Sequence, residues 1–411
     1  MNVFQRKRNI LTLERWGFYA LLAEAFFIAL SPGAAIAALL LGIVCWLVRW
    51  KLDAACHFRH GPLDVPILLF VVLGAASIAV SPDPAFSFYN YYNLVGVYAL
   101  TYILAMQTIE NERQLRQIAW ALGAAAVCVV AYGFWQFVFG IDTSAMKWVD
   151  GNAFPELKKR VFSTWENPNI LAGYLDEALC LVFAFFITFK KRSIRLLCGG
   201  AILALAACLA MTYARGACLS LAAVLAGYGI LKDRRVLLGC VVLGAAILAL
   251  DPALSERLLS VFTKMDTSSE MRLALWESTI AMILDHPLLG IGWGAYWMVY
   301  PAYDFYINDA AVRIVHAHNM YLNYAAEIGI PGALAYLWYF FGTMRLSFLS
   351  PVTGTSDFLR ALRLGIGLAL ISVALGGMTD DVLFNIPTSM LLWLLCALAA
   401  VSGNKGFSGG V

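Results

Sequence analysis

The chain is dominated by a succession of apolar runs, each close to the length of a membrane-spanning helix. A helix needs about 20 apolar residues to cross the hydrocarbon core of a bilayer. Hydrophobic residues fill 61% of the 411 positions and charged residues only 13%, where a soluble domain carries roughly 25% charged residues. The sequence therefore predicts an all-α membrane protein. The predicted spans number twelve and cover residues 15–31, 33–50, 65–80, 93–109, 117–139, 169–189, 195–213, 216–231, 236–251, 320–345, 362–378 and 384–402.

The positions of Lys and Arg predict the orientation of these spans. Loops that stay in the cytoplasm carry an excess of both residues. With twelve spans, the basic segments fall on one side of the membrane. They lie near residues 6–8, 49–59, 113–116, 190–195, 232–235, 345–363 and 405. Both termini are therefore expected in the cytoplasm.

Two long segments, residues 140–168 and 252–319, are predicted as extracytoplasmic loops. The second loop is the largest polar portion of the chain, and its residues 269–285 are predicted to form a helix that ends before Pro287. The chain shows no internal repeat and no low-complexity linker. Residues 1–411 are therefore expected to form a single polytopic membrane domain.

Arg160, Arg215 and Arg272 lie on the predicted outer side, against the prevailing charge bias. A single arginine at the edge of a bilayer can be a solvated anchor. Several arginines close to spans favour an anionic ligand at the membrane surface, because guanidinium binds phosphate oxygens with two hydrogen bonds and keeps its charge. No segment combines basic and aromatic residues densely enough to indicate nucleic-acid binding.

Arg160 begins a motif, Arg-Val-Phe-Ser-Thr-Trp-Glu-Asn-Pro-Asn, that ends at Asn169 and enters a predicted span. Asn167 and Asn169 flank a proline, which is also the pattern of an ordinary capped helix start. The motif is therefore open to both a binding role and a capping role.

Arg272 and Trp276 are four residues apart and share one face of the predicted helix in the outer loop. This helix leads into His286-Pro-Leu-Leu-Gly-Ile-Gly292. The glycine spacing differs from a dinucleotide-binding fingerprint and no strand precedes it, so that function is excluded. The glycines are expected to permit a tight loop at the membrane.

His316, Ala317, His318 and Asn319 follow one another where the outer loop meets a predicted span. Two His residues at i and i+2 can bind a metal ion, but the sequence shows no third ligand, so no metal and no cofactor are predicted. His titrates near neutral pH and can take a proton from a hydroxyl, which makes His318 the candidate general base. A capping or interfacial role for His318 stays open as an alternative.

Taken in order, these segments resemble the O-antigen ligase and Wzy-type O-antigen polymerase family. The matching elements are Arg160 to Asn169, the pair Arg215-Gly216, the helix from Arg272 into Gly292, and His318-Asn319 followed after nine residues by Gly329-Ile-Pro-Gly332. The resemblance covers roughly residues 120–400, and its last motif is the most specific.

The resemblance implies a GT-C-like helical fold in the bacterial inner membrane, with an active site that faces the periplasm. A ligase of this family transfers a glycan from an undecaprenyl-diphosphate carrier to lipid A–core, without a metal or a nucleotide sugar. The family's essential residues match His318, Arg215 and Arg272 here, with Arg160 as a looser match that also binds the diphosphate. Supporting roles are expected for His316, Asn319, Asn169 and Trp276.

Two alternatives stay open. A polymerase of the same family would transfer the glycan to another carrier-linked repeat with the same residue types, although the long outer loop favours the ligase. A polytopic transporter or lipid-glycan flippase would also fit twelve spans. Coupled transporters, however, carry ionisable residues inside their spans, and the sequence shows few of these in the middle of its apolar runs.

Overall fold

The structure, a computed structural model, describes residues 3–140, 160–250, 255, 267–305, 313–349, 356–383 and 385–403. Within these ranges every regular element is a helix, as the sequence predicts. Parts of the two predicted outer loops lie outside the described residues, namely 141–159, 251–254, 256–266 and 306–312.

The first half of the chain forms α1 (Val3–Phe27), α2 (Pro32–Leu52), α3 (Asp64–Ser77), α4 (Pro84–Tyr91), α5 (Ala99–Thr108) and α6 (Glu112–Phe139). Ser31 and Asp83 cap α2 and α4 by accepting hydrogen bonds from amides three residues on. A π-helical turn over Tyr92–Gly96 joins α4 to the region of α5. The predicted span 93–109 is therefore an interrupted helix and not a continuous one.

The second half forms α7 (Pro168–Thr188), α8 (Arg192–Ala210), α9 (Arg215–Leu231), α10 (Arg234–Leu250), α11 (Thr267–Asp285), α12 (Tyr296–Val299), α13 (Met320–Leu349), α14 (Asp357–Gly376) and α15 (Ile386–Ser402). Asn167 caps α7 and Asn385 caps α15. Each predicted span overlaps a described helix, and the helix predicted over 269–285 is α11.

Among the described residues, five helices are long and apolar enough to cross a membrane, judged by length and composition. They are α2, α6, α7, α8 and α14. Shorter apolar helices cover Asp64–Val80, Arg215–Leu231 and Ile386–Ser402. The all-helical membrane class is thus supported, while the number twelve and the GT-C-like layout stay predictions.

α14 lies deep in the bundle, where it packs against α7, α9, α13 and α15. Nearly all residues of α15 are buried as well. Peripheral helices instead expose large apolar side chains, among them Leu68 of α3, Val127 of α6 and Leu197 of α8. Removing such surface from water is favourable, so these helices present the surface that suits lipid.

Contacts between loops show which loops lie at the same end of the bundle. The predicted basic segments meet at one end through the pairs Arg6 with Leu52, Arg49 with Glu110, and Arg116 with Phe358. At the opposite end Thr164, which precedes α7, donates to the Ala29 carbonyl between α1 and α2. This separation matches the predicted alternation of loops, and the cytoplasmic assignment of the basic end stays a prediction.

The two glycine motifs, one with Gly290 and Gly292 and the other with Gly329 and Gly332, meet at a break in α13. Gly329 has a φ of 72°, and a methyl group placed on it would lie 2.2 Å from the Leu288 carbonyl oxygen. The amides of Ile291 and Gly292 donate to the carbonyls of Ala326 and Glu327 at 2.8 and 3.0 Å. The loop before α12 therefore satisfies carbonyls in the broken turn, and no residue with a side chain fits there at Gly329.

Among the described residues, four carboxyl groups are buried inside predicted spans: those of Glu24, Asp176, Glu177 and Glu327. Glu24 accepts a hydrogen bond from Thr101, and Asp176 accepts one from Ser372 at 3.1 Å. Ionisable groups within the spans are therefore less scarce than the sequence suggests, which weakens that argument against a transporter.

Candidate functional site

His318 stands immediately before α13 on a backbone that is fixed from both sides. Asn319 caps the helix by accepting hydrogen bonds from the amides of Tyr321 and Leu322. The Asn319 side chain also donates to the Met378 carbonyl at 3.1 Å. His318 itself has a φ of 47°, in the left-handed region that non-glycine residues seldom adopt. The capping role thus belongs to Asn319, and the imidazole of His318 stays available for other contacts.

The imidazole of His318 pairs with Asp380, which follows α14. Its Nδ1 atom lies 3.1 Å from Oδ1 of Asp380, and both side chains are partly exposed. Burial by itself would raise the pKa of Asp380, but the hydrogen bond from His318 and the nearby charges of both imidazoles and Arg272 lower it to about 2. Asp380 is therefore a carboxylate at any physiological pH and fixes the orientation of the His318 ring.

His316 lies against His318, with ring centroids 4.3 Å apart. Its Nδ1 atom accepts a hydrogen bond from the His318 amide at 3.2 Å. Burial, followed by the neighbouring charge of His318, lowers the pKa of His316 to about 4. His316 is therefore a neutral acceptor near pH 7, which suits a supporting role better than proton transfer.

Three groups at this point could hold a metal ion. One ligand atom each from His316, His318 and Asp380 lies within 4.8 Å of the others. The sequence shows only the two histidines, so Asp380 supplies the third donor that the pattern lacks. Two imidazoles with one carboxylate suit divalent transition metals, although the positive charge of Arg272 acts on both His316 and Asp380.

Arg272 and Trp276 lie half-buried, four residues apart on α11. The positive charge of Arg272 contributes to the lowered pKa values of His316 and Asp380. The Nε atom of Arg272 and the Nε1 atom of Trp276 are buried without a hydrogen-bond partner among the described residues. Buried donors are normally paired, so both are candidates to bind a ligand.

Arg160 is buried at the turn that precedes α9. Its Nε atom donates to the Thr212 carbonyl and a terminal nitrogen donates to Oδ1 of Asn169, each at 2.7 Å. A guanidinium has five N–H donors, and Arg160 uses some of them to hold the turn before Arg215. Asn167 caps α7 through the Asn169 amide. The motif therefore serves as a helix cap and also supports a second arginine.

Arg215 is the first residue of α9. Ala214 at the N-cap makes no side-chain hydrogen bond to the helix, and the first amides of a helix carry partial positive charge. A methyl group placed on Gly216 would lie 3.6 Å from Oγ1 of Thr379. The start of α9 therefore lies beside the residue that precedes Asp380.

The predicted site residues fall into two adjacent groups. His316, His318, Asn319, Arg272 and Trp276 form one group, and Arg160, Asn169 and Arg215 form the other. The contact between Gly216 and Thr379 joins the two groups through Asp380. The structure thus places the charge of Arg272 close to Asp380 and the start of α9 next to Thr379, and the roles of these residues stay predictions.

A comparison with protein families covers the segment that carries most of these residues. Residues 200–337 match the family described as O-Antigen ligase. The match spans about a third of the chain and includes Arg215, Arg272 and His318. No curated protein matches the chain.

The site has residues that the sequence motifs do not contain. Asp380 and Asp381 lie beyond the matched segment. The Nδ2 atom of the Asn323 side chain donates to Oδ2 of Asp381 at 3.1 Å. Oδ1 of Asn323 accepts from the backbone amide of Ala317 at 3.2 Å. Burial, followed by the adjacent charge of Asp380, raises the pKa of Asp381 to about 7. The sequence signal for them was two adjacent acids in a short outer loop without basic residues.

Proposed function

We propose that this chain is a glycosyltransferase that moves a glycan from an undecaprenyl-diphosphate carrier to a sugar hydroxyl of lipid A–core. The observation that carries the proposal is the pairing of His318 with Asp380 at 3.1 Å, beside Arg272 and the start of α9. A general base and a cationic surface next to apolar helices are what such a transfer requires. The O-antigen ligase family match supports the same reaction class.

His318 acts as the general base. Nδ1–H donates to the Asp380 carboxylate, so Nε2 carries the lone pair. The acceptor hydroxyl gives its proton to Nε2 while its oxygen forms a bond to the anomeric carbon. Asp380 is a positioning residue that holds the ring and stabilises the imidazolium once it forms. His316 supports the backbone of His318 through its own Nδ1.

Arginine side chains would stabilise the leaving diphosphate. The bond between the anomeric carbon and the phosphate oxygen breaks, and its electron pair goes to the diphosphate. We assign the binding of that charge to Arg215, at the start of α9, and to Arg272, whose buried Nε atom has no hydrogen-bond partner among the described residues. Arg160 holds the turn before Arg215. A diphosphate is a good leaving group, so the reaction needs no metal, and one direct attack inverts the anomeric carbon.

The location follows from the predicted orientation. Thr164, within the motif that begins at Arg160, contacts Ala29 at the end of the bundle opposite the basic loops, and basic loops stay in the cytoplasm. The active site would then face the periplasm of a bacterial inner membrane, with the lipid tail of the donor against the apolar helices. Both termini would be cytoplasmic.

A polymerase that joins the glycan to another carrier-linked repeat would use the same groups, and the acceptor decides between the two reactions. A transporter or flippase is the second candidate class, because Glu24, Asp176 and Glu177 are buried within predicted spans. Product formation in proteoliposomes without any ion gradient separates an enzyme from a coupled transporter.

The test is transfer by the purified protein in proteoliposomes, with an undecaprenyl-diphosphate-linked glycan and either lipid A–core or a second carrier-linked repeat as acceptor. His318→Ala is expected to lose at least 10²-fold in rate, the usual contribution of a general base. His60→Ala, which removes an exposed imidazole from the basic end, is the matched control. Normal product from the His318 variant rejects the mechanism, and no product from the wild type with either acceptor rejects the proposed function.

A further inference from the structure

A cavity of about 120 Å³ lies next to the His318–Asp380 pair. Its volume is several times what one water needs. Its walls combine aromatic rings with carboxylate and amide groups. The residues that matter here are Trp293, Trp297, Tyr324, Asn323, Glu327 and Asp381. None of them belongs to the predicted site, so the cavity needs its own explanation.

Three consecutive residues connect the cavity to the rest of the site. Thr379 lies against Gly216 at the start of α9, Asp380 binds His318, and Asp381 lines the cavity. Asn323 bridges Asp381 to the Ala317 amide, next to His318. The order along this segment is therefore the start of α9 with Arg215, then the base His318, then the cavity.

The polar groups of the cavity are held in fixed positions. The Gly294 amide donates to Oε2 of Glu327 at 2.9 Å, and Asn323 binds Asp381 at 3.1 Å. The Arg313 guanidinium lies over the Trp297 ring. The Nε1 atom of Trp297 is buried without a hydrogen-bond partner among the described residues. The cavity thus offers fixed acceptors and at least one unused donor.

This combination favours a neutral hydroxylated ring. An apolar ligand would leave the buried carboxylates and the indole N–H unsatisfied, which is costly. The negative charge of Asp380 already raises the pKa of Asp381 in the cavity wall, which disfavours a second anion there, although Arg313 also lines the cavity. A sugar ring has hydroxyls that donate to carboxylates and accept from Trp297, and its C–H faces can lie on aromatic rings, the usual composition of a small-molecule site.

We propose that this cavity binds the acceptor sugar whose hydroxyl is deprotonated by His318. The inference rests on the proposed function and adds the place of the acceptor. In a direct displacement the attacking oxygen and the leaving oxygen lie on opposite sides of the anomeric carbon. Since Arg215 at the start of α9 is proposed to bind the diphosphate, the acceptor must approach from the other side of His318, where the cavity lies.

The test compares steady-state constants for the two substrates in proteoliposomes. Trp297→Ala is expected to raise KM for lipid A–core roughly tenfold, as for the loss of a buried aromatic contact in a binding site. Trp297→Phe keeps a ring but loses the donor, so about a two- to tenfold rise is expected. KM for the carrier-linked glycan should stay within about twofold in both. If the second carrier-linked repeat is the acceptor, its KM replaces that of lipid A–core.

Trp120→Ala and Trp120→Phe are the matched controls, because Trp120 is an exposed indole of α6. A rise confined to KM for the donor would overturn the proposal and assign the cavity to the donor sugar. Unchanged constants in both Trp297 variants would overturn it as well. If Trp297→Ala does not fold, as judged by its melting temperature, Trp297→Phe decides. If the wild type transfers the glycan and the Trp297 variants behave like it, only the assignment of the cavity to the acceptor is rejected. If the wild type shows no transfer, the proposed function is rejected.

Discussion

The Nδ1 atom of His318 lies 3.1 Å from Oδ1 of Asp380, 62 positions later in the chain. The two residues flank different helices, His318 before α13 and Asp380 after α14. The Met320 amide donates to the Gly377 carbonyl at 2.8 Å, which ties the same two helix ends together. The pairing of imidazole and carboxylate is therefore built on a backbone junction and does not depend on the side chains alone.

Asp380→Asn is expected to reduce kcat on the order of 10²-fold or more with little change in either KM. The amide can still accept from Nδ1–H, but it lacks the charge that stabilises the imidazolium. Steady-state transfer rates in proteoliposomes measure the effect. Asp83→Asn is the control, because Asn caps α4 as well as Asp does. A kcat within twofold of wild type would show that Asp380 does not position the base.

Arg272→Ala is expected to raise KM for the carrier-linked donor roughly tenfold or more, because a charged hydrogen bond to phosphate is lost. Arg272→Lys should retain part of the activity, since it keeps the charge but loses the bidentate geometry. For Arg215 as well, the Ala variant is expected to lose more activity than the Lys variant. Arg345→Ala, on the exposed basic end of α13, is the control. Equal effects of Ala and Lys at both positions would argue against a charge role.

A chelator is expected to leave transfer unchanged, because the diphosphate leaves without Lewis-acid help. The cluster of His316, His318 and Asp380 makes this a sharp test, since its ligand atoms lie within 4.8 Å of one another. Rates before and after EDTA dialysis of the proteoliposomes measure it. Loss of activity that Zn²⁺ or Mg²⁺ restores would assign the cluster to a metal and remove the base from the mechanism.

Gly329→Ala is expected to lower the free energy of unfolding by roughly 2–5 kcal/mol, from the left-handed backbone and the clash with the Leu288 carbonyl. A methyl group there would lie 2.2 Å from that oxygen. Gly173→Ala is the matched control, because nothing lies within 4 Å of its added methyl group. Melting temperatures in detergent measure both. Equal temperatures for the two variants would contradict the interlocked glycine motifs.

Asp381→Asn is expected to change stability in a pH-dependent way. The folded chain raises the pKa of Asp381 from 3.8 to about 7, so the fold holds this proton more tightly than the unfolded chain does. The stability from the protonated form is full below pH 4 and is lost as the pH rises towards 7. Wild-type Asp381 becomes a buried carboxylate anion as the pH rises, whereas the asparagine of the variant stays neutral. The melting temperature of the variant relative to wild type should therefore be higher at pH 8 than at pH 5.

The control for that measurement is Asp83→Asn, which alters an exposed carboxylate at the same end of the molecule. Its difference from wild type should be the same at both pH values. An Asp381→Asn difference that does not depend on pH would show that the buried carboxylate keeps its ordinary pKa.

Much of the architecture was determined by the sequence alone. Apolar runs long enough to span a bilayer form helices because lipid offers no partner for backbone polar groups, and each predicted span overlaps a described helix. Local chemistry also decides where helices begin, as Asn167 and Asn319 show. The histidine and arginine candidates were visible as well, because charged and titratable groups stand out in a chain with so few of them.

Only the tertiary structure decided which groups meet. The partner of His318, the third potential metal ligand and the cavity beside Asp381 depend on contacts between segments far apart in sequence. Periodicity and spacing report on neighbours along one helix, whereas these contacts arise from how α9, α13 and α14 pack. The same packing explains the glycines: Gly290 and Gly329 look like loop residues in the sequence, but they are required because two backbones approach too closely for any side chain.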